Sequence, residues 1–206
     1  MNREEKNQQT RRRIMDNALS EFSTRGYGAS SVNTICASKD ISKGIIYHYF
    51  DTKDELYLAC VEECFQRLTA HLRSALPASG EGTVEEQLEQ YFSARVAFFK
   101  MYPVYQPIFC EAVISPPDHL RSQIQARRQP FDDLTVDTLT RLLRPLPLHP
   151  DLTIGEVVDT FRKFQDFINA EYKFSLLSPE EFKRRDEHCR KALYILLYGV
   201  VERSED

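Results

Sequence analysis

The chain of 206 residues lacks the short motifs by which many enzymes are detected in sequence. Only seven glycines are present, and none belongs to a P-loop or a G-x-G-x-x-G run that would hold a nucleotide. The H-E-x-x-H and G-x-S-x-G patterns of metalloproteases and serine hydrolases are also absent. Carboxylates are plentiful, but none is paired with a convincing general base. We therefore expect no enzymatic activity, no cofactor and no metal.

Long apolar runs and targeting signals are missing as well. The longest apolar run, from Ala192 to Val201, is about half the length of a membrane-spanning helix. Met1 leads into polar residues instead of the apolar core of a signal peptide. The five cysteines are an odd number, which favours reduced thiols over a disulfide framework. These absences predict a cytoplasmic protein that has no membrane partner.

Charge is distributed unevenly along the chain. The net charge of −4 argues, taken alone, against a nucleic-acid partner. Residues 1–53, however, contain nine Lys/Arg and six Asp/Glu, whereas the remainder contains eighteen and twenty-five. A basic N-terminal segment followed by an acidic remainder is expected when only the first part binds phosphate.

Helix signals occur throughout, and no segment shows the sustained alternation of a strand. Four capping boxes predict helix starts, at Thr52, Thr83, Thr153 and Ser178. A break is expected at 77–82, and Pro130 should kink or interrupt the helix that contains it. The prediction is an all-α chain of about nine helices.

The segment 31–53 shows the pattern of two short helices joined by a turn at 38–41. Ser42 is a good N-cap for the second helix, in which Ile46, Tyr49 and Phe50 should point inward. The residues left outside are a cation, a glycine, an apolar residue, a phenol and an imidazole: Lys43, Gly44, Ile45, Tyr47 and His48. Such a face suits a helix in the major groove of DNA better than a solvated surface.

A family resemblance supports this interpretation. The run T-I-C-A-S-K-D-I-S-K-G-I-I-Y-H-Y-F-D-T-K-D-E-L, which begins at Thr34, resembles the N-terminal domain of the TetR family of bacterial transcriptional regulators. The chain departs from the common pattern at Cys36, where a small residue is usual, and at Asp40, where glycine is usual. The resemblance implies a three-helix DNA-binding domain with a helix-turn-helix over residues 1–52. It also implies a larger helical domain for ligand binding and dimerisation over 53–206.

The candidate DNA-contacting residues differ in their expected roles. Those expected to bind phosphate are Ser31, Lys43, Tyr47, Tyr49 and Lys53. Those expected to reach base edges are Asn33, Ile45 and His48. Gly44 would let the backbone approach DNA closely, because it has no side chain. For His48 the alternative is an imidazole that simply faces solvent.

The first thirty residues complete the predicted DNA-binding domain. An apolar stripe of Ile14, Ala18 and Phe22 predicts a helix, and Gly26 should end it as a C-cap. The polar residues 1–10 are expected to be frayed. Five basic side chains could form an arm that reaches DNA or could belong to a solvated helix start: Arg3, Lys6, Arg11, Arg12 and Arg13.

The middle of the chain is rich in aromatic residues. Regulators that this chain resembles usually hold a small-molecule pocket in that region, where aromatic walls would bury an apolar or planar effector. The candidate ligand-binding residues are Phe98, Tyr102, Gln106, Phe109, Phe131, Phe161 and Phe164. The alternative is that the aromatic side chains only fill a helical core.

The segment of the final helix from Ala192 to Val201 is apolar nearly all round, which is more than one packed side requires. A second copy of the chain would cover the excess, and the resemblance favours a dimer over a monomer with a central helix. The candidate interface residues are Phe167, Ala192, Ile195, Leu196 and Gly199.

The i, i+4 pair of Cys60 and Cys64 could hold a metal or form a redox pair, but buried thiols are the simpler interpretation.

The functional prediction is a sequence-specific transcriptional regulator. As a homodimer it would bind a pseudo-palindromic DNA operator and would be released by a small-molecule effector of unknown identity. The alternatives are an activator of the same architecture, a helical enzyme with a vestigial N-terminal domain, and a protein whose N-terminal domain binds another protein.

Overall fold

The computed structural model describes residues 2–37, 41–76, 82–171 and 179–200. Within those ranges the chain forms nine α-helices. Their bounds are α1 Arg3–Ala29, α2 Val32–Ala37, α3 Lys43–Tyr49, α4 Lys53–Ala75, α5 Val84–Met101, α6 Tyr105–Ile114, α7 Arg121–Leu143, α8 Ile154–Glu171 and α9 Pro179–Val200. A short 3-10 helix, Asp118–Leu120, precedes α7. The all-α prediction is confirmed.

Three sequence predictions fall at least partly outside the described residues. They are the turn at 38–41, which includes Asp40, the break at 77–82, and the helix cap at Ser178.

The capping boxes that can be compared do begin helices. Thr83 and Glu86 exchange hydrogen bonds before α5, from the Thr83 amide to Oε2 at 2.8 Å and from the Glu86 amide to Oγ1 at 3.2 Å. Thr153 and Glu156 do the same before α8, at 2.9 and 3.3 Å. Hydrogen bonds donated by the Thr153 hydroxyl and amide lower the pKa of Glu156. These contacts satisfy amides that a helix start leaves without intrahelical partners.

The N-terminal residues correct one expectation. Residues 3–10 are helical, so the prediction that the N-terminal residues are frayed is wrong for the described residues 2–10. Asn2 is the N-cap of α1, and it exchanges hydrogen bonds of 2.8 Å with Glu5 in both directions. The N-x-x-E pattern that produces this capping box is visible in the sequence.

Two residues inside helices behave differently from each other. Gly26 has φ of 71° and ψ of 169°, so it kinks the helix where the sequence predicts a C-cap, but α1 resumes beyond it to Ala29. Pro130 lies inside α7, which continues on both sides of it to Leu143. Of the predicted kink or interruption of α7 at this proline, the interruption is therefore not present, and the kink stays a prediction.

The chain divides into two compact units. The first consists of Met1–Arg67 and Tyr102–Gln129, and its core includes Phe22, Tyr57 and Phe109. The second consists of Leu68–Met101 and Pro130–Asp206. Its buried residues include Leu72, Tyr91, Phe98 and Phe161. The functional division between residues 52 and 53 stays a prediction.

None of the described helices combines the length and apolar character that crossing a membrane requires.

Candidate nucleic-acid interface

Helix α3 is fixed from both its ends and its inner side. The Ser42 side chain caps its start, because its Oγ accepts a hydrogen bond of 3.3 Å from the Ile45 amide. Ile46 and Phe50 are buried, as predicted, and they anchor the helix on the first unit. Arg11 lies over the Phe50 ring, with its guanidinium carbon 5.3 Å from the ring centroid.

The outward side of α3 is open to solvent. All five residues predicted to face outward are exposed: Lys43, Gly44, Ile45, Tyr47 and His48. Ile45 is 40% exposed and Tyr47 42%, which is unusual for large apolar side chains on one short helix. The Lys43 ammonium lies 5.8 Å from the centroid of the Tyr47 ring. We call these five residues the α3 face.

Packing against the described residues does not require a glycine at position 44. A Cβ built at this position would meet no atom nearer than the Ser42 Oγ at 4.0 Å. The helix could therefore hold a side chain at this position without a collision. Close approach of an external partner remains the predicted use of Gly44.

Tyr49 lies at the edge of the α3 face and is half-buried. Its hydroxyl donates to the Asn7 Oδ1 of α1 at 3.1 Å, and its ring meets the His48 ring edge-on at 5.2 Å. The hydroxyl therefore has a partner within the unit. Its predicted phosphate contact stays a prediction.

Ser31 and Asn33 lie at the start of α2. The Ser31 amide donates to the Thr34 Oγ1 at 2.9 Å, and the Thr34 amide donates to the Ser31 Oγ at 3.1 Å. Ser31 is half-buried by this exchange, whereas Asn33 is exposed. The Asn33 side chain is therefore accessible for the base contact that the sequence predicts.

Lys53, predicted to bind phosphate, is engaged inside the first unit. Its Nζ donates to the carbonyl oxygens of Tyr27 at 3.0 Å and Ser30 at 3.1 Å. The ammonium also lies 3.9 Å from the centroid of the Tyr27 ring. Lys53 therefore fastens the start of α4 to the end of α1, a role that local sequence spacing does not reveal.

Tyr27 is the centre of a polar cluster at the end of α1. Its amide donates to both carboxylate oxygens of Glu111, at 3.2 and 3.1 Å. Its hydroxyl donates to the Asp54 Oδ1 at 2.5 Å and lies 3.1 Å from His119 Nε2. Burial and the hydrogen bond to Asp54 raise the pKa of Tyr27, so the phenol stays protonated.

Glu111 also accepts a hydrogen bond of 3.1 Å from the hydroxyl of the fully buried Tyr57. Burial, more than the Glu111 charge, raises the pKa of Tyr57. The carboxylate thus joins α6 to α1 and α4 within the first unit. A single sequence does not reveal these partners of Glu111, because they lie far away along the chain.

One member of the predicted basic arm has another use. Arg12 forms ion pairs with Asp16 at 2.6 Å and with Glu63 of α4 at 2.8 Å. The side-chain hydrogen bond to Asp16 contributes most to raising the pKa of Arg12. Arg3, Lys6 and Arg13 are exposed on the same helix.

The predicted ligand-binding residues fall in both compact units. In the first unit Gln106 and Phe109 are buried, and Tyr102 is exposed. In the second unit Phe98, Phe131 and Phe161 are buried, and Phe164 is half-buried. The buried Arg95 lies 5.3 Å from the centroid of the Phe131 ring. A ligand-binding role for these residues stays a prediction.

Large apolar side chains are exposed on α8 and α9. Phe167 is exposed on α8, and Ile195, at 70%, is among the exposed residues of α9. Of the other predicted interface residues, Gly199 is exposed, whereas Ala192 and Leu196 are half-buried. Tyr194 and Tyr198, which were not predicted, are exposed next to each other with ring centroids 4.0 Å apart. Their exposure follows from the same helical periodicity.

Cys60 and Cys64 are both buried in the first unit. Burial raises the pKa of each thiol, which keeps the sulfur protonated and unreactive. Among the side chains that the structure describes, no three His, Cys, Asp or Glu residues are grouped as metal ligands.

Comparison with known proteins places the α3 face in a recognised segment. Residues 14–60 match the family described as "Bacterial regulatory proteins, tetR family". The chain is 27% identical over 196 residues to the biofilm operon icaADBC HTH-type negative transcriptional regulator IcaR of Staphylococcus epidermidis, covering 94% of this chain and 90% of that protein. It is 31% identical over 109 residues to the HTH-type transcriptional regulator UidR of Escherichia coli, covering 53% of this chain and 55% of that protein.

Solved structures share the fold. The transcriptional regulator FadR of Bacillus subtilis, in complex with stearoyl-CoA, has a TM-score of 0.72 at 15% identity, covering 91% of this chain and 98% of that chain. The ketosteroid transcriptional regulator KstR2 of Mycobacterium tuberculosis has a TM-score of 0.65 at 21% identity, covering 93% and 96%.

Proposed function

Since the chain belongs to the TetR family of bacterial regulatory proteins and is a DNA-binding transcriptional regulator, we propose that it represses transcription as an operator-bound homodimer. A small-molecule effector releases it from the operator. IcaR, similar to this chain over most of both sequences, is named a negative regulator, which supports repression over activation. Because the operator is bacterial DNA, the proposal also places the protein in the cytoplasm.

The exposed α3 face carries the proposal. It combines a cation, Lys43, with apolar and aromatic surface at Ile45 and Tyr47, and all three side chains are exposed. A helix laid in the major groove needs these groups, because phosphates attract the cation and thymine methyls contact apolar side chains. The start of α3 adds the positive potential of a helix N-terminus for phosphate.

A homodimer follows from the small size of one DNA-binding domain. One α3 face contacts few base pairs, whereas a twofold dimer reads two half-sites about 34–36 Å apart. Phe167, Ile195 and Tyr198 are exposed on α8 and α9 and provide an apolar surface for a second copy. We propose this surface as the dimer interface.

The effector acts through the spacing of the two α3 faces. Phosphate contacts supply much of the affinity for DNA, so a displacement of one face by a few ångströms weakens binding. A ligand that binds the displaced arrangement more tightly shifts the population toward it. FadR binding stearoyl-CoA and the name of KstR2 support an effector with a large apolar body.

The test uses duplexes selected by the protein from a random DNA pool, with affinity measured by fluorescence anisotropy at several salt concentrations. Lys43→Ala should weaken binding about tenfold at low salt and reduce the salt slope by about one phosphate contact. Tyr47→Ala should weaken binding by a similar factor. Lys100→Ala, at an exposed lysine of α5, is the matched control and should leave affinity unchanged.

Two results would contradict the proposal. One is binding without a salt slope, which would remove the phosphate contacts. The other is unchanged affinity in both α3 variants while each remains folded by circular dichroism, which would show that a different surface binds DNA.

A further inference from the structure

Helix α6 carries three long polar side chains, and two of them have partners within the first unit. The Tyr105 hydroxyl donates to Glu63 at 2.5 Å, and Glu111 accepts from Tyr27 and Tyr57. The third, Gln106, is only 6% exposed, and its Nε2 has no hydrogen-bond partner among the residues that the structure describes. Gln106 follows Tyr105 directly, so the helix turns its side chain by about 100° from that of Tyr105.

A buried amide without a partner is costly. More than 90% of buried polar groups in native proteins are hydrogen-bonded, and a buried orphan loses its contacts with water without replacing them. An apolar residue of similar shape, such as methionine, would remove this cost at the same position. The carboxamide is therefore unfavourable in the unliganded chain, and a bound acceptor would remove the penalty.

The neighbours of Gln106 on α6 define what else such a ligand would meet. Phe109, one turn later, is buried against Phe65 of α4, with ring centroids 5.5 Å apart. Tyr102 precedes α6 and is exposed, and its ring centroid lies 6.3 Å from that of Tyr105. The side of α6 that carries Gln106 therefore combines the Phe109 ring with a neutral hydrogen-bond donor group, a combination typical of small-molecule sites.

The chemistry of the donor limits the acceptor. A carboxamide N–H is neutral and donates to an oxygen lone pair. A buried carboxylate needs a positive partner or several donors, because desolvation of the charge is otherwise too costly. A neutral carbonyl oxygen needs no positive partner and accepts from an N–H of the neutral carboxamide, which carries two such donors.

We propose that Gln106 donates a hydrogen bond to a neutral carbonyl oxygen of the effector, which is a ketone, ester or amide on an apolar body. This inference rests on the proposed function, because it states which polar group of the proposed effector Gln106 binds. Phe109 contacts the apolar body.

The experiment compares matched compounds by isothermal titration calorimetry on the full chain, without DNA. The probes are 2-undecanone and acetophenone as carbonyl compounds, undecane and ethylbenzene as hydrocarbons of the same skeleton, and decanoate and benzoate as anions. At least one ketone should bind about tenfold more tightly than its hydrocarbon and its carboxylate. Gln106→Met should abolish this difference while leaving the unfolding temperature equal or higher.

Controls separate a binding role from a structural one. Gln123→Met, at an exposed glutamine of α7, should retain the preference for the ketone. Gln106→Leu provides a second apolar variant if Gln106→Met does not fold. Ketone binding unchanged in a folded Gln106 variant, a loss of stability in both variants, or tighter binding of the carboxylate would each overturn the inference.

The DNA affinity of the unsubstituted chain and of the Gln106 and Gln123 variants is then measured by fluorescence anisotropy. A ketone preference with no DNA binding would contradict the repressor while supporting the carbonyl site. DNA binding with no ketone preference would contradict the carbonyl site alone.

Discussion

Lys53 shows how a residue in a recognised motif can serve the fold. Its ammonium satisfies two carbonyl oxygens at the end of α1 and lies over the Tyr27 ring. Backbone carbonyls that a helix leaves without partners are costly when buried, and a cation at this end also interacts favourably with the helix dipole.

At the residue scale we therefore predict that Lys53→Met lowers the free energy of unfolding by about 1–2 kcal/mol. Lys43→Met, the matched lysine on the α3 face, should change it by less than about 0.5 kcal/mol. Urea denaturation of both variants measures the difference. Equal stability of the two variants would show that the Lys53 contacts contribute nothing to the fold.

The sequence predicts residue exposure better than residue partners. Helical spacing correctly separates Ile46 and Phe50 from the exposed α3 face, because that spacing is local. The contact of Tyr49 with Asn7 and that of Arg12 with Glu63 join residues 42 and 51 positions apart. Such contacts depend on how helices pack, and a single sequence has no signal for them.

At the scale of elements, α3 has only seven residues, too few to be stable as an isolated helix. Its stability comes from packing of Ile46 and from the Ser42 cap. The cap also lies beside the positive helix start that the proposed function assigns to phosphate.

Two substitutions at Ser42 separate these roles. Ser42→Ala should lower the free energy of unfolding by about 1 kcal/mol through loss of the cap. Ser42→Asp should keep the cap and the stability, yet weaken DNA binding about tenfold by repelling phosphate. Denaturation and anisotropy test the pair. Undiminished DNA binding by Ser42→Asp would place the start of α3 away from the DNA backbone.

Helix starts are the part of the fold that the sequence predicts best. Thr83 and Thr153 cap α5 and α8. These caps can be predicted because a capping box involves only four consecutive residues. The start of α1 at Arg3 carries the same signal in Asn2 and Glu5, which polar composition obscured. The course of α7 through Pro130 could not be predicted, because surrounding contacts decide whether a helix tolerates proline.

At the scale of the whole molecule, the proposed dimer depends on the apolar surface of α8 and α9. Ile195→Glu would bury an unpaired charge in that interface, so the dimer dissociation constant should rise on the order of 100-fold. Operator affinity should fall with it. Met101→Glu, at a residue of α5 that is 60% exposed, is the matched control.

Sedimentation equilibrium measures the assembly state of both variants. Dimers of undiminished stability in a folded Ile195→Glu protein would place the interface on another surface.

The sequence predicts that α9 needs a second apolar surface, but the geometry of the assembly depends on two copies and not on one chain.

Gly26 has a consequence for how this protein can change over generations. Its φ of 71° disfavours every residue with a side chain, and a Cβ there would stand 3.2 Å from the Glu111 carboxylate that binds the neighbouring amide. Most single amino-acid substitutions at this position would therefore cause both backbone strain and steric crowding. A lineage that loses this glycine would first have to rebuild the carboxylate contact opposite it.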